Sequence, residues 1–497
     1  MSLQPGQVKV FRDEESLLKV NNPPTYVVKI GPSDLNYTPF SSQSFSDSNA
    51  QFTVNPSSGK TGINRLIYLR IPFTLTFTGT SVGPTLLQLG SNDALRSFAL
   101  SKVISNLKLQ IDNASANIDM EDVIPAFERY MSTHSKETEL GMIPSMSDQY
   151  PQYVQYQQYG SAKNALANFG ESGFGAATPR GGYSNLQVIS DDGSTAVVQC
   201  ELIEPIWVSP LKWKNGNDKA LILTNQIQLF VQFGDLSRLW SHATSQTIGG
   251  VSYTGGENIT NVSVAVGASN YDNPSLLVNQ VEFPANMQVP LTEKYNFHDV
   301  QVFSTQGATS LAPGATQSIV SNNIQLGNTP KRIYVFANRT RATRTFETTD
   351  TFAKINGISI RLNNRNGILA DAAPVQLYNI AVKNGYQGSY DAWQKYSGGC
   401  LALDLGQDIP LSETNVPGSV QQSQISVTLD IENIDPVSTI TYALYMVVIY
   451  EGVCIKSLNN TQLLTGTVSV SDVLQSPELP ENISELMRLS DPCGGRS

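Results

Sequence analysis

The segments QIQLFVQF (226–233) and QISVTLDI (424–431) both begin with Gln-Ile and continue with an apolar residue at every second position. Side chains of a β-strand point alternately to its two faces, so this spacing predicts a strand with one buried face. Because one such strand lies in each half of the chain, the pair indicates an all-β unit that occurs twice.

Further pairs of similar segments follow the same order in both halves of the chain. These pairs are RLIYL (65–69) with KRIYV (331–335), LKLQIDN (107–113) with ISIRLNN (358–364), and the Pro-Leu steps at 210–211 and 410–411. A single pair is explained equally well by composition, since alternating strands resemble one another. The shared order favours a duplicated unit, whose last strands we expect at 275–283 and 440–450, with the join near 284–291.

Length and composition fit two large β domains. The chain has 497 residues, of which 40% are hydrophobic and 15% charged. Charged residues are fewer than the roughly 25% of typical soluble domains, so polar uncharged residues must cover much of the surface. The net charge of −10, without a cluster of Lys and Arg, argues against direct nucleic-acid binding. The start MSLQPGQVKV lacks the apolar run of a signal peptide, so we expect a soluble protein synthesised in the cytoplasm.

Cysteine and histidine offer little chemistry. The cysteines lie far apart, at Cys200, Cys400, Cys454 and Cys493, and we expect free buried thiols. The histidines His134, His242 and His298 have no second ligand at metal-binding spacing, so we expect surface or hydrogen-bonded structural roles.

Catalytic motifs also fail on inspection. SGKT (58–61) lacks the first glycine of a phosphate-binding loop and precedes a strand instead of a helix, and no GxSxG elbow occurs. A Ser-His-Asp triad stays open, because its members need not be adjacent in sequence. We therefore predict no catalytic, cofactor-binding or metal residues, no cofactor, and no enzymatic activity.

Two helices and one long insertion interrupt the strands. A helix is predicted at 119–131, where Val123, Phe127 and Met131 recur at every fourth residue, and a shorter one near 389–396. The insertion, about 134–200, contains QYPQYVQYQQYG (149–160). Tyrosine and glutamine at this density suit an exposed contact surface, while a linker is the alternative reading.

The segment RLIYLRIPFTLTFTG (65–79) resembles the early strand of major capsid proteins from polinton-like viruses, virophages and related adenovirus-type lineages. As in those proteins, ALRSFAL (94–100) and a helix-like 122–130 follow, and ALYMVVIY (443–450) resembles their last strand. The resemblance spans about residues 25 to 455, and its motifs are strand patterns without invariant chemistry.

The resemblance implies an all-β fold of two tandem eight-stranded jelly rolls with a few short helices in loops. It suggests an N-terminal arm (1–24), jelly roll 1 (25–287, with the insertion at its outer or intersubunit surface), jelly roll 2 (288–457) and a C-terminal arm (458–497). It further implies a major capsid protein of a DNA virus that forms homotrimers. These would act as pseudo-hexameric capsomers tiling an icosahedral virion shell, with neighbouring capsomers and penton or minor capsid proteins as partners.

Two other functions remain compatible with a β-rich chain. A viral receptor- or glycan-binding spike or fibre would use the Tyr-rich insertion as its ligand site, since jelly rolls also occur in lectins. A polysaccharide-active enzyme would need a cleft with paired carboxylates and clustered aromatic residues. The four tryptophans available to line such a cleft are Trp207, Trp213, Trp240 and Trp393.

Overall fold

The computed structural model describes residues 37–468, with gaps at 57–60, 82, 88–92, 132–185, 212–218, 243–245, 249–250, 254–257, 284–288, 412–414, 437 and 459. Strands dominate these residues, as the alternating patterns predict. The predicted arm at 1–24 and most of the predicted insertion lie outside the described residues.

The first half forms two main antiparallel sheets. Its elements are β1 (Tyr37–Ser41), β2 (Ser44–Phe45), β3 (Asn49–Val54), β4 (Thr61–Ile63), β5 (Tyr68–Thr80), β6 (Asp93–Leu95), α1 (Ala99–Val103), β7 (Ile104–Ile111), β8 (Ala114–Ile118), α2 (Met120–Tyr130), β9 (Leu186–Asp191), β10 (Thr195–Pro205), β11 (Ile227–Phe233), β12 (Trp240–His242), β13 (Gln246–Ile248), β14 (Val251–Tyr253), β15 (Asn258–Val266) and β16 (Ser275–Glu282). One sheet has the order β1-β16-β5-β10-β9, and the other has the order β2-β3-β11-β7-β8.

The second half also forms two antiparallel sheets. Its elements are β17 (Thr292–Leu311), β18 (Thr316–Val320), β19 (Ile324–Leu326), β20 (Arg332–Arg339), β21 (Lys354–Leu362), β22 (Arg365–Ile368), α3 (Pro374–Lys383), β23 (Cys400–Asp404), β24 (Ser423–Glu432), β25 (Ile440–Ser457) and β26 (Asn460–Thr465). The sheet orders are β17-β25-β20-β23 and β18-β24-β21-β22, with β26 beside β25 and β19 beside β24.

The two halves share one topology. The order β1-β16-β5-β10 corresponds to β17-β25-β20-β23, and the order β3-β11-β7-β8 corresponds to β18-β24-β21-β22. The segments paired by sequence occupy equivalent places, since β11 matches β24, β7 matches β21 and β5 matches β20. The predicted double jelly roll is therefore confirmed, and we call β1–β16 jelly roll 1 and β17–β26 jelly roll 2.

Burial follows the strand alternation inside each jelly roll. In β5, the side chains of Leu69, Ile71, Phe73, Leu75 and Phe77 are all buried, while the residues between them are mostly half-buried. In β25 the burial is continuous over residues 442–450. A strand buried on both faces needs a second layer outside its sheet.

The helices agree partly with the sequence predictions. Helix α2 begins at Met120 and ends at Tyr130, close to the predicted 119–131, with Pro125 inside it. The region predicted to be helical near 389–396 contains a π-helical turn, Ala392–Tyr396. Helix α3 was missed, although Pro374 stands at its first turn, where a missing N–H costs nothing.

The structure differs from the expected segment bounds at two places. Strand β26 pairs with residues 452–457 of β25, so the segment from 458, expected to be an arm, begins with a strand of jelly roll 2. Strands β9 and β10 fall partly within the range expected for the insertion, and both join the sheet of β5. Strand β9 pairs along a free edge of β10, and β26 pairs along a free edge of β25. The sequence alone does not reveal these edges. The domain bounds themselves stay a prediction.

Candidate functional site at the junction of the two jelly rolls

Charged side chains are buried where the two jelly rolls meet. We call this group the junction cluster, and its members are Arg96, Lys102, Glu121, Asp122, Glu128, Arg129 and Arg238 from jelly roll 1 with Arg344 and Asp350 from jelly roll 2. Burying a charge is costly unless a partner and hydrogen bonds compensate for the lost water. The pairing of these residues therefore fixes how the two jelly rolls are oriented.

Helix α2 of jelly roll 1 packs against jelly roll 2, and all of its residues are buried. Its Phe127 and Tyr130 rings pack on Tyr334 of β20, with centroids 5.3 and 5.1 Å apart. The Tyr130 hydroxyl donates to the carbonyl of Cys400 (2.5 Å) and accepts from the N–H of Ala402 (2.8 Å). Burial raises the pKa of Tyr130 well above its usual value, so the hydroxyl keeps its proton.

At the other end of α2, acidic residues meet arginines of jelly roll 2. Arg344 Nη1 donates to Asp122 Oδ1 at 2.8 Å, and its Nη2 donates to the Tyr445 hydroxyl at 2.8 Å. Arg341 donates from Nε to Asp122 Oδ2 at 2.9 Å. Burial raises the pKa of the neighbouring Glu121, although Arg344 opposes this shift. Asp122 thus carries the ionic contact on this side.

Lys102 of α1 occupies the centre of the junction cluster. Its Nζ lies 2.9 Å from Glu128 Oε2 and 2.9 Å from Asp350 Oδ2. Arg238 Nη2 lies 2.6 Å from the other carboxylate oxygen of Asp350, Oδ1. Burial alone would raise the pKa of Asp350, but Lys102 and Arg238 together hold it well below its usual range.

Two arginines of jelly roll 1 bind backbone carbonyls of jelly roll 2. Arg96 Nη2 donates to the carbonyls of residues 345, 346 and 348, at 3.1, 3.2 and 2.5 Å. Arg129 donates to the carbonyls of Gly398 (2.9 Å) and Asp350 (2.8 Å), and its guanidinium lies 3.5 Å from the centre of the Phe352 ring. These bonds tie loop carbonyls of jelly roll 2 to side chains of jelly roll 1.

A buried carboxylate positions α1, and with it Lys102. Glu204 of β10 accepts from the N–H groups of Leu100 (2.9 Å) and Ser101 (2.8 Å) and from the Ser101 hydroxyl (2.5 Å). Such contacts satisfy the free donors at a helix start. Burial raises the pKa of Glu204, while these hydrogen bonds act in the opposite direction.

A second set of contacts joins the jelly rolls at β17, β25 and β26. Lys456 forms a buried ion pair with Asp112, and Asn113 Oδ1 accepts from the N–H of Thr461 at 2.8 Å. The Tyr295 hydroxyl donates to the carbonyl of Ala220 (2.8 Å) and accepts from the N–H of Ile222 (3.0 Å). The junction is thus held at two separate places.

The histidines and cysteines that are described have structural surroundings. His242 Nδ1 lies 2.8 Å from Asp93 Oδ1 in the interior, as expected of a hydrogen-bonded structural histidine, and His298 Nε2 lies 3.7 Å from Glu451 Oε1. Cys200, Cys400 and Cys454 are buried free thiols. Burial raises the pKa of Cys200 and Cys400 to about 12. His134 and Cys493 lie outside the described residues.

No metal centre or aromatic cleft is present in the described part of the chain. No group of three or more His, Cys, Asp or Glu is placed there to hold a metal ion. Trp207, Trp240 and Trp393 are buried, so they do not line an open cleft, and Trp213 is not described. In the same part of the chain, none of the helices is long and apolar enough to cross a membrane.

Sequence reasoning missed the junction cluster. Its partners are far apart in the chain, as Arg96 and Thr348 show with a separation of 252 positions. One signal was available, since TRATRT (340–345) places two arginines in a loop and MED (120–122) places two acids at the start of α2. Their pairing becomes visible only with the fold.

Two family models match this chain over most of its length. The model of the Sputnik virophage major capsid protein first domain matches residues 8–281, which is more than half of the chain. The model of the major capsid protein V20 C-terminal domain matches residues 300–452. A curated relative, the putative capsid protein V20 of Sputnik virophage, is 28% identical over 499 residues, which cover 94% of this chain and 82% of the relative.

Solved structures give the same result. The Sputnik virophage structure determined by cryo-EM matches with a TM-score of 0.85 and 26% identity, covering 98% of this chain and 100% of that chain. The crystal structure of the mavirus major capsid protein matches in fold with a TM-score of 0.74 and 14% identity, covering 96% and 100%. These relatives are structural capsid proteins, and the spike or fibre alternative finds no support among them.

Proposed function

Because the chain belongs to the Sputnik virophage major capsid protein family and is itself a major capsid protein of the virion shell, we propose that three copies form a pseudo-hexameric capsomer of an icosahedral shell. The observation that supports this proposal is the shared strand order of the two jelly rolls. Each chain contributes two similar units, so a trimer has six similar units around one axis. Such a ring can pack like a hexagonal tile although its symmetry is threefold.

A tile needs a fixed angle between its two jelly rolls, and the junction supplies it. The apolar contact of α2 with Tyr334 is non-directional, whereas the Arg344–Asp122 pair tolerates little rotation. A buried ion pair loses its compensation when either partner turns away, so it favours one packing arrangement over others. We therefore assign orientation of the jelly rolls to the junction cluster.

The remaining partners follow from the same proposal. Neighbouring capsomers would meet through smaller and more polar contacts, and penton and minor capsid proteins would complete the shell. Synthesis would take place in the host cytoplasm, and with a net charge of −10 the chain would not bind the genome directly.

The test is the mass of the purified full chain in solution, measured by light scattering on a sizing column and followed by electron microscopy of the same fraction. We expect a stable species of three times 54.0 kDa with hexagonal outlines. A particle that stays monomeric at all concentrations and never forms tiles or shells would overturn the trimer proposal.

A further inference from the structure

Lys102 and Asp350 place an amine beside a carboxyl group of the other jelly roll, out of contact with water. Lys102 Nζ lies 2.9 Å from Asp350 Oδ2, and the two side chains are 0% and 4% exposed. Glu128 Oε2 lies 2.9 Å from the same Nζ, and its side chain is 3% exposed. One buried site thus contains the amine of Lys102, the carboxyl group of Asp350 that it could attack, and the carboxyl group of Glu128 that could carry the proton.

Glu128 places a second carboxylate 2.9 Å from Nζ of Lys102, where it can take a proton from the ammonium group. Burial is the largest cause acting on the pKa of Arg129 and of Arg238, and it lowers both values. Burial thus opposes positive charge in the junction cluster, while the carboxylates of the cluster favour it. A guanidinium group keeps its proton under all ordinary conditions, whereas an ammonium group can release one. Lys102 is the member of this group that can become neutral, and a desolvated neutral lysine is a nucleophile.

The carboxyl group of Asp350 is held by a fixed cation. Arg238 Nη2 lies 2.6 Å from Asp350 Oδ1, the oxygen on which negative charge would build up when Nζ attacks the carbon. A donor fixed in advance at such an oxygen stabilises the transition state. The same arginine keeps Asp350 in its less reactive ionised form, so the reaction must be slow.

We propose that Lys102 and Asp350 form an amide bond that joins jelly roll 1 to jelly roll 2 covalently. In this step a bond forms between Nζ of neutral Lys102 and the side-chain carboxyl carbon of Asp350, and the bond from that carbon to Oδ2 breaks. Glu128 first accepts a proton from the ammonium group of Lys102. A second proton from Nζ and the proton held by Glu128 then leave with Oδ2 as water, and Glu128 is a carboxylate again. Atoms and charge balance without an oxidant or another reactant.

The chain contains its own comparison site. Lys456 forms a buried ion pair with Asp112, again between the two jelly rolls. Its other polar neighbour is the hydroxyl of Thr461, at 2.7 Å, where the first site has the carboxyl group of Glu128. The pair lacks a carboxyl group in the place of Glu128, so we expect it to stay an ion pair. The proposed bond lies within one chain, and the inference therefore does not depend on the proposed trimer.

The first measurement is the intact mass of the full chain, directly after purification and after prolonged incubation at neutral pH. We expect a species lighter by one water molecule that accumulates with time, and peptide mapping that links residue 102 to residue 350. In a denaturing gel this species should migrate faster, because the bond closes a loop. A chain that keeps its full sequence mass throughout would overturn the proposal, and so would a lost water that maps to another pair of residues.

Two variants assign the roles of the residues. In Lys102→Arg the positive charge remains but the attacking amine is gone, and in Glu128→Gln the amine remains but the proton carrier is gone. We expect both variants to keep the full mass, while Lys456→Arg should lose water as the unchanged chain does. Loss of water in Lys102→Arg at the rate of the unchanged chain would show that Lys102 is not the nucleophile.

Discussion

Arg344 of jelly roll 2 donates to the carboxylate of Asp122 of jelly roll 1 at 2.8 Å, across 222 residues of sequence. Both side chains are 3% exposed. An ion pair this deep gains less from attraction than its distance suggests, because both charges lose their water. The pair matters for the orientation of the two jelly rolls, because either charge would be unfavourable in the interior without the other.

Removal of Asp122 should destabilise the chain strongly. In Asp122→Ala the guanidinium of Arg344 stays buried without its carboxylate, and breaking a buried pair from one side costs about 3–5 kcal/mol. We expect a clearly lower midpoint of thermal unfolding, measured by circular dichroism or differential scanning fluorimetry.

The surface pair of Lys395 with Asp391 is the matched control for this prediction. Its side chains are 64% and 67% exposed, and the ion-pair distance is 3.2 Å. Exposed pairs of this kind contribute little, so Asp391→Ala should leave the unfolding midpoint nearly unchanged. Equal losses in Asp391→Ala and Asp122→Ala would contradict the structural role given to the junction cluster.

Tyr130→Phe should test a single hydroxyl group of the junction. The ring contact with Tyr334 stays, but the carbonyl of Cys400 and the N–H of Ala402 both lose their partner. Buried groups left without hydrogen bonds cost about 1–3 kcal/mol. Unfolding in urea should reveal this loss, whereas Tyr390→Phe, at an exposed position, should not change the transition.

Strand alternation predicted the duplicated all-β unit because it is a local signal, and the family resemblance then implied two jelly rolls. Ile227 and Leu229 in β11 have the same inward spacing as Ile425 and Val427 in β24, and each alternation is readable without knowing the partner strand. Helix α2 was predicted for the same reason, from its apolar residues at every fourth position.

The junction contacts were not predictable in this way. Lys102 and Asp350 come together only after both jelly rolls have formed and packed, and charged residues in sequence suggest exposure instead of burial. Strand β26 was missed for a related reason. It fills an edge of β25 that stays open because β20 does not extend along residues 452–457.

Glu451 should make stability depend on pH in the acidic range. Burial would raise its pKa, but His298, at 3.7 Å, and Lys331, which donates to Glu451 Oε1 at 2.7 Å, outweigh this and lower it to about 2. A lowered folded-state pKa means that the contribution is present above the unfolded value and is lost as pH falls toward 2. Glu451→Gln should therefore unfold at a lower temperature than the unchanged chain at pH 7, and the difference should shrink toward pH 2.

Glu121 should show the opposite sign. Burial raises its pKa, so the folded chain holds this proton at higher pH than the unfolded chain does. Its contribution is then present below the unfolded pKa and is lost as pH rises through the folded pKa. Because Gln resembles the protonated form, Glu121→Gln should help stability most near neutral pH and least at pH 4. A constant difference across unfolding measurements from pH 4 to 7 would exclude this assignment.

Gly398 should be irreplaceable because the junction approaches its backbone closely. Its φ of +75° is unfavourable for other residues, and an added Cβ would collide with the backbone carbonyl of Phe352.

Gly314 separates the effect of backbone conformation from that of the collision, since its φ is +71° and no atom lies within 4 Å of an added Cβ. Gly314→Ala should lower the unfolding midpoint slightly, through backbone strain of about 1–2 kcal/mol. Gly398→Ala should lower it much further, because Phe352 must move away from the Arg129 guanidinium that lies 3.5 Å from the centre of its ring. If both alanine variants unfold at the same temperature, backbone conformation alone matters at Gly398, and the packing of this loop does not hold the two jelly rolls together.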